Sequence, residues 1–546
     1  MKIKQWLTAT AVTTSSLILL SSITFAADPM KSDMVLKLNG KDASFTAQTF
    51  LVESNLYGPA DEVARQLGAE VTWNAAAKTL TLRKSGSTIE FTANMKTVKV
   101  NGVELALTAP LQVIGEKAYV PVRFIYEILG YAIAYDSKTR AVSVSSDTLP
   151  SMRVLGISEG QYLTSSELKI AVWVENVTLT DFKINKAAKS GEGHLLVWLD
   201  TELDPKLAIT SYKGEPIEFN HIKPGEHTLT VQLVGNDSLP LQPEVKQTIK
   251  FNTAQISILA DLDPQQATGM RTEGVIADNK GHVFTVDSDS KKLFRIKADS
   301  GKVDVLTELP RAATGLGLDA SGNLYMASGG QEGVILRVLA KDLEGEMFDT
   351  SKVETYVSGV AGANGLAFDK KGNLYVTGGA NGNIYMVTPD GKLNTFKSGL
   401  QPERTEQLIV VNGIAFGQDG KLYVSNTSSG EINRFTVNAD GSLGSSELVA
   451  KSPLLYGADG INFGPDNALY VCANERNSIV KVTIDGKVTE VAHNDNKGPL
   501  EFPASPYFIG STLYISNFDQ PRGDNKPNEP GIGASIVQIQ LGPVNK

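Results

Sequence analysis

Alternation of apolar and polar residues runs through most of this 546-residue chain, and its rhythm changes in three blocks. In the first, about 35–147, Lys78-Thr79-Leu80-Thr81-Leu82 and Ala141-Val142-Ser143-Val144 alternate with period two, as half-buried strands do. Two short helices are predicted between strand pairs, opened near Pro59 and Pro121 and closed at Gly68 and Gly130. These features recur at a constant offset of 62: Asn39-Gly40 with Asn101-Gly102, Tyr57 with Tyr119, Leu67-Gly68 with Leu129-Gly130, and Trp73 with Tyr135. The block therefore reads as a duplicated α+β unit.

The second block, about 151–252, has short strands and no convincing helix. Lys169–Val174, Leu195–Leu199 and His227–Leu233 are the clearest, with Pro224-Gly225 as a turn. About 100 residues of this kind predict an Ig-like β-sandwich. His194, His221 and His227 fall here, but their spacing matches no local ligand motif, so strand or turn histidines with partial exposure are expected.

From 255 to 546 the pattern repeats six times with a period of 41–50 residues. Inner segments begin at Glu273-Gly274, Thr314-Gly315, Asn364-Gly365, Asn412-Gly413, Asp459-Gly460 and Ser505-Pro506. Returning strands carry Val283-Phe284, Leu324-Tyr325, Leu374-Tyr375, Leu422-Tyr423, Leu469-Tyr470 and Leu513-Tyr514. Four strands per repeat, six times over, predict a six-bladed β-propeller. Gln255–Leu259 precedes the first inner strand and the last repeat stops one strand short at Ser535–Leu541, so the early strand is expected to complete the last blade. The whole is multidomain and mainly β.

Composition narrows the function. A formal charge of −9 argues against binding to a phosphate backbone. One cysteine, Cys472, rules out a disulfide framework and a four-cysteine zinc site, and five histidines argue against a histidine cage. Cys472 sits within a predicted strand and reads as core; His282 and His493 are placed in a turn and a loop, without a nucleophile motif. At the start, Lys2 and Lys4 precede an apolar run through Leu17-Ile18-Leu19-Leu20, with small residues before a cleavage point near Ala26. Residues 1–26 thus read as an export signal, and the protein as secreted or held at the cell surface. No later stretch reaches the roughly 18 uninterrupted apolar residues of a membrane span.

Propeller geometry brings chemistry to one place. The residue ahead of each inner strand points into one channel mouth, so Glu273, Thr314, Asn364, Asn412, Asp459 and Ser505 converge. Two carboxylates there repel unless solvated or neutralised by a cation. Oxygen donors without sulfur or imidazole suit a hard divalent ion, whereas a polar, water-filled pore needs none. Fourteen residues beyond Glu273 and Asn412, Asp287 and Asn426 return towards the same mouth, as substrate contacts or as turn-stabilising side chains. Arg271, Arg311 and Arg404 lie in loops on that side, either facing an acidic substrate or solvated at the surface.

Val100-Asn101-Gly102, Tyr119 through Phe124, and Leu129-Gly130 resemble the copper amine oxidase N-terminal-like domain. The resemblance implies an attachment or spacing unit with cell-wall contact and does not imply copper. Thr272-Glu273-Gly274, Val411 through Phe416, and Ala458-Asp459-Gly460-Ile461 resemble the senescence marker protein/gluconolactonase family, while the strand pattern alone is shared with NHL-repeat propellers. That likeness implies one divalent ion (Ca²⁺ first, with Mg²⁺, Mn²⁺ or Zn²⁺ as alternatives) on Glu273, Asn412 and Asp459, with Asn364 touching the ligand. Asp459 is then the proton-transfer candidate of a lactone hydrolase. The family's acid after the third-blade strand is replaced by Val376-Thr377-Gly378-Gly379, so a non-catalytic module that binds a glycan, peptide or protein at the cell surface stays open beside the enzyme.

Overall fold

A computed structural model describes residues 29–52, 55–84, 87–95, 97–107, 109–129, 131–145, 149–264, 270–404, 407–494, 498–525 and 532–542. The expected export signal and Gly130 lie outside these. The duplication is visible as a pseudo-two-fold axis. Strand Asn55–Pro59 runs antiparallel to Lys117–Pro121, and Tyr57 faces Pro121 while Pro59 faces Tyr119, so residues 62 apart exchange partners. Helices α1 (Ala60–Leu67) and α2 (Val122–Ile128) leave this strand pair at Pro59 and Pro121, whose extended φ of −63° and −67° suits the position before a helix. Gly68 closes α1 in the left-handed region at φ 64°. Their apolar faces, including Val63, Leu67, Ile125 and Tyr126, share one core with Leu80, Ile89 and Val120 from the sheets.

The next segment is a sandwich of two sheets. One contains Ser151–Leu155, Leu168–Glu175 and Ile217–Phe219; the other is built on Glu192–Leu199, Gly225–Gly235 and Pro240–Thr253. Ile170, Val172 and Val174 meet Leu195, Val197, Leu229 and Val231 between them. The expected partial exposure of the histidines fails for two of the three. His194 is buried and stacked on Phe182 at 4.4 Å, and His227 is buried between the Asp200 carboxylate (2.6 Å) and the Lys223 carbonyl (2.7 Å). Both ride on strands whose faces are covered, which alternation alone could not reveal. Lys84 and Glu175 join this sandwich to the first unit by a half-buried ion pair at 2.8 Å, which Trp173 Nε1 and Tyr131 support.

Six four-stranded antiparallel sheets make up the remainder. Neighbouring inner strands touch all the way round, the sixth against the first. Gln255–Asp261 pairs with Ser535–Gln540, Gln255 facing Gln540 and Ile256 facing Ile539, so the chain's early strand closes the last blade as expected. Only Ala254 separates it from the sandwich's longest strand, Pro240–Thr253. Among the described residues, no helix is long and apolar enough to cross a membrane.

Contact between blades explains the repeated glycines. Gly274, Gly315 and Gly413 each donate their N–H to a carbonyl of the next blade, on Thr314, Asn364 and Asp459 respectively. A Cβ on Gly315 would lie 2.1 Å from the Asn364 oxygen, and one on Gly413 would lie 2.4 Å from that of Asp459. Backbones this close leave room only for hydrogen. The glycine of each pair is thus a packing element, and the side chain before it carries the chemistry.

Candidate functional site

The inner segments reach the mouth in two ways. Thr314, Asn364 and Asn412 lie two residues ahead of the strands Leu316–Leu318, Leu366–Phe368 and Ile414–Phe416. Glu273, Asp459 and Ser505 instead sit inside longer strands, at points where the pairing register slips: between Thr272 and Val275, Ala458 and Ile461, and Pro503 and Ser505. Such bulges re-aim a side chain off the sheet. All but Thr314 line one cavity of about 310 Å³ on the axis, walled further in by Ile276, Leu318, Phe368, Phe416, Phe463 and Tyr507. Thr314 spends its hydroxyl on the Asn364 carbonyl at 3.2 Å and does not face the cavity.

Burial pushes Glu273 up to about 7, an effect the nearby Arg271 reduces. Asp459 is held well above the carboxylate range, first by burial and next by the charge of Glu273, against a hydrogen bond from Asn474 and the charge of Arg522. The two acids therefore feel each other inside a poorly solvated pocket. Asn474 Nδ2 donates to Asp459 Oδ2 at 2.8 Å. Asn412 Nδ2 donates to Thr427 Oγ1 at 3.1 Å, and that hydroxyl in turn donates to the Ala458 carbonyl at 2.8 Å. With the Thr427 hydrogen committed, the Asn412 amide has one satisfied orientation, which leaves Oδ1 for the cavity.

This ordered set of oxygens lies in a stretch whose relatives can be named. Residues 250–518 match the SMP-30/Gluconolactonase/LRE-like region. Residues 37–144 match the copper amine oxidase N-terminal domain. Among curated proteins, none matches the chain. In fold, the SMP-30/gluconolactonase-like propeller is similar to a gluconolactonase from Xanthomonas campestris, at 18% identity over 53% of this chain and 89% of that one, with a TM-score of 0.38. It is also similar to the calcium-binding protein regucalcin from Agrobacterium tumefaciens (18% identity, 52% and 94% coverage, TM-score 0.39). A third such structure is virginiamycin B lyase from Staphylococcus aureus (17% identity, 53% and 99% coverage, TM-score 0.36).

Two expected contacts in this SMP-30/gluconolactonase-like propeller are turned elsewhere. Asp287 is fully buried and accepts the Arg271 and Ser290 backbone N–H groups, while Asn426 Oδ1 accepts that of Ser429 at 3.1 Å. Both tie turns together and neither lines the cavity. The side chains that reach the site are one residue later, Thr427 and Asn474, because the last residue of each strand and the first of its turn face opposite ways. An offset of fifteen instead of fourteen would have found them. In the third blade, a Cβ on Gly378 would fall 2.3 Å from Asn381 Oδ1, so a side chain there requires the Asn381 side chain to move.

Arg404 is consumed by packing. It lies over Tyr456 at 4.9 Å, donates to the carbonyls of Thr427 and Ser428, and pairs with Glu475 at 3.3 Å. Arg271 forms two 2.6 Å bonds with Asp289 and keeps an exposed edge, and Arg311 is outside the cavity lining. His282 begins a strand and His493 ends one, where a turn and a loop were expected, and neither lines the axial cavity; His282 pairs with Asp278 at 3.0 Å. Cys472 is fully buried, and burial pushes its thiol well up, in keeping with a core residue. Among the described residues, no three His, Cys, Asp or Glu side chains converge, so any cation site here includes amide oxygen.

Proposed function

We propose that the propeller binds one divalent cation between Glu273, Asn412 and Asp459, Ca²⁺ ahead of Mg²⁺, Mn²⁺ or Zn²⁺, and hydrolyses a lactone there. What carries this reading is that oxygen donors from three blades are turned into one cavity in a stretch matching the SMP-30/Gluconolactonase/LRE-like region. The donor set fits the ion. Asn412 is oriented with its carbonyl oxygen inward, Asn474 steadies Asp459, and the Glu273 carboxylate accepts no hydrogen bond from a described residue. Hard divalent cations take such carboxylate and amide oxygens. A bound ion would supply charge to polarise a lactone carbonyl and acidify water. Asn364, on the same lining, offers its amide to the substrate's hydroxyl or ring oxygens. Asp459 takes the proton of the attacking water, with Asn474 fixing the carboxylate plane. The apolar wall below limits the entry of bulk water.

We take residues 1–26 as an export signal and the N-terminal unit as an attachment module, which puts the propeller at or beyond the cell surface. A second reading, binding without turnover, is favoured by the side-chain-free turn at Gly378-Gly379. Elemental analysis of purified protein beside Asn412→Ala, followed by a panel of sugar and aliphatic lactones with each of the four ions, separates them. The enzyme reading expects turnover that needs the ion and is abolished in Asp459→Ala. A retained ion with no turnover in the whole panel leaves the binding reading. An ion content no higher than that of Asn412→Ala overturns the ion-dependent lactonase and leaves binding without an ion.

A further inference from the structure

The rim above the sixth and first blades carries a feature outside the ion site. Arg522, in the connection between Thr512–Asn517 and Ser535–Gln540, lays its guanidinium 5.1 Å over the Phe502 ring. Arg271, just ahead of Thr272–Ala277, lies 5.5 Å over Phe518, and the two phenylalanine rings are 6.1 Å apart. Phe518 occupies in the sixth blade the turn position that Thr427 and Asn474 hold in the fourth and fifth. The four side chains thus form one continuous plate, Arg–Phe–Phe–Arg, at the mouth. Both charges are felt below: Arg271 draws the Glu273 carboxyl down and Arg522 that of Asp459, against their burial.

Charge is left over on this plate. Glu475 serves two guanidinium groups, Arg404 and Arg522, each at 3.3 Å, and also accepts from Gln407 at 2.8 Å. One carboxylate against two arginines leaves a unit of positive charge. Arg404 is already bound to backbone carbonyls, so the excess belongs to Arg522, whose Nε faces Glu475 Oε1 at 3.3 Å and whose two terminal nitrogens donate to no described residue. On Arg271, Nε and Nη2 hold Asp289 and Nη1 is left over. Among the described residues, no other acid of the sector (Glu501, Asp519 or Asp524) forms an ion pair with Arg522. Glu501 accepts the Ile532 and Gly533 amides, and Asp519 accepts from Asn525.

We propose that this plate is an anion subsite, in which Arg522, assisted by Arg271, receives a carboxylate that the substrate carries beyond its lactone ring. A guanidinium edge matches a carboxylate with two parallel bonds, and the aromatic bed holds it in place before the ligand arrives. The substrate class becomes a lactone of a sugar diacid or uronic acid, in place of a neutral sugar lactone. The inference rests on the lactonase reading for its ring chemistry, and the test keeps the two apart.

Calcium-loaded wild type, Arg522→Gln and Arg522→Lys are compared on glucarolactone, which carries a free carboxylate, and on gluconolactone, which does not. Calorimetric titration with glucuronate and with glucose runs alongside. The wild type is expected to prefer glucarolactone, and Arg522→Gln to lower that preference in kcat/KM by about tenfold or more, with Arg522→Lys between. Glucuronate is expected to bind more tightly than glucose and to weaken by a similar factor in Arg522→Gln, whether or not any lactone turns over. Binding without turnover would leave the subsite standing and remove the lactonase. Turnover of both lactones without preference, or glucuronate binding that Arg522→Gln leaves unchanged, would overturn the subsite.

Discussion

Glu273→Gln in metal-free protein probes the mouth most directly. Burial raises this carboxyl from 4.5 to about 7, whereas in an unfolded chain it titrates near its ordinary value. The native state therefore holds a proton that the unfolded state has lost across this interval, and stability falls as pH rises through it. The gap corresponds to at most about 3 kcal/mol, and the raised Asp459 acts in the same direction. Cys472 supplies the readout. It is the chain's single cysteine and is fully buried in Leu469–Ala473, so its labelling reports opening of the propeller without interference from the other units. With chelator present and rates corrected for free-thiol ionisation, the open population of wild type should rise up to about a hundredfold between about pH 5 and about pH 8. Glu273→Gln should show a smaller free-energy change, since only the buried Asp459 is left to lose a proton on opening. Millimolar Ca²⁺ at the higher pH should suppress the opening of wild type, because the ion replaces the proton. Equal pH slopes in wild type and Glu273→Gln would refute the idea that this acid is confined beside Asp459.

Asn474→Ala should weaken Ca²⁺ binding by roughly 10–100-fold in calorimetric titration, since it removes the group that aims Asp459. Asp287→Asn should leave that affinity within about threefold and lower stability by about 1 kcal/mol, because its bonds go to the Arg271 and Ser290 amides. Gly315→Ala places a methyl 2.1 Å from the Asn364 carbonyl and should cost about 2 kcal/mol or more in thermal unfolding, with loss of ligand contact at Asn364. Glu175→Gln leaves Lys84 half-buried without its counter-charge and should destabilise the junction of the first two units by about 3 kcal/mol, read by limited proteolysis between them.

What could be read from the sequence was periodicity. The 62-residue offset, the prolines ahead of the two helices and the strand that completes the last blade are local patterns, and each has its counterpart in pairing or backbone angle. Glu273, Asn364, Asn412, Asp459 and Ser505 reach one cavity because repetition alone carries equivalent positions to equivalent places. The readings that failed depend on which way a side chain leaves the backbone at a strand end. Thr314 holds the same position as the others, yet a neighbouring carbonyl captures its hydroxyl. Asn426 sits one residue short of Thr427, which reaches the site, and Asp287 is turned to the Arg271 and Ser290 amides. Arg522 falls between two strands far from any repeat signal, and Phe502 brings it to the rim.

The ring also explains why the mouth is lopsided. Glu273, Asp459 and Ser505 are the three residues on bulges, and their blades are neighbours: the fifth, sixth and first. A bulge pushes the side chain inward and slackens the pairing beside it, which leaves that half of the mouth room for turns bearing Asn474, Phe518 and Asp289. Across the axis, the second and third blades end their corresponding strands in Gly329-Gly330 and Gly378-Gly379, with Gly330 and Gly379 both at positive φ and no side chain to offer. Charge and aromatic surface therefore stand on one side of the cavity, and bare backbone on the other. On the anion-subsite proposal, a lactone carrying an acid group would lie with its ring over Asn364 and its charge towards Arg522.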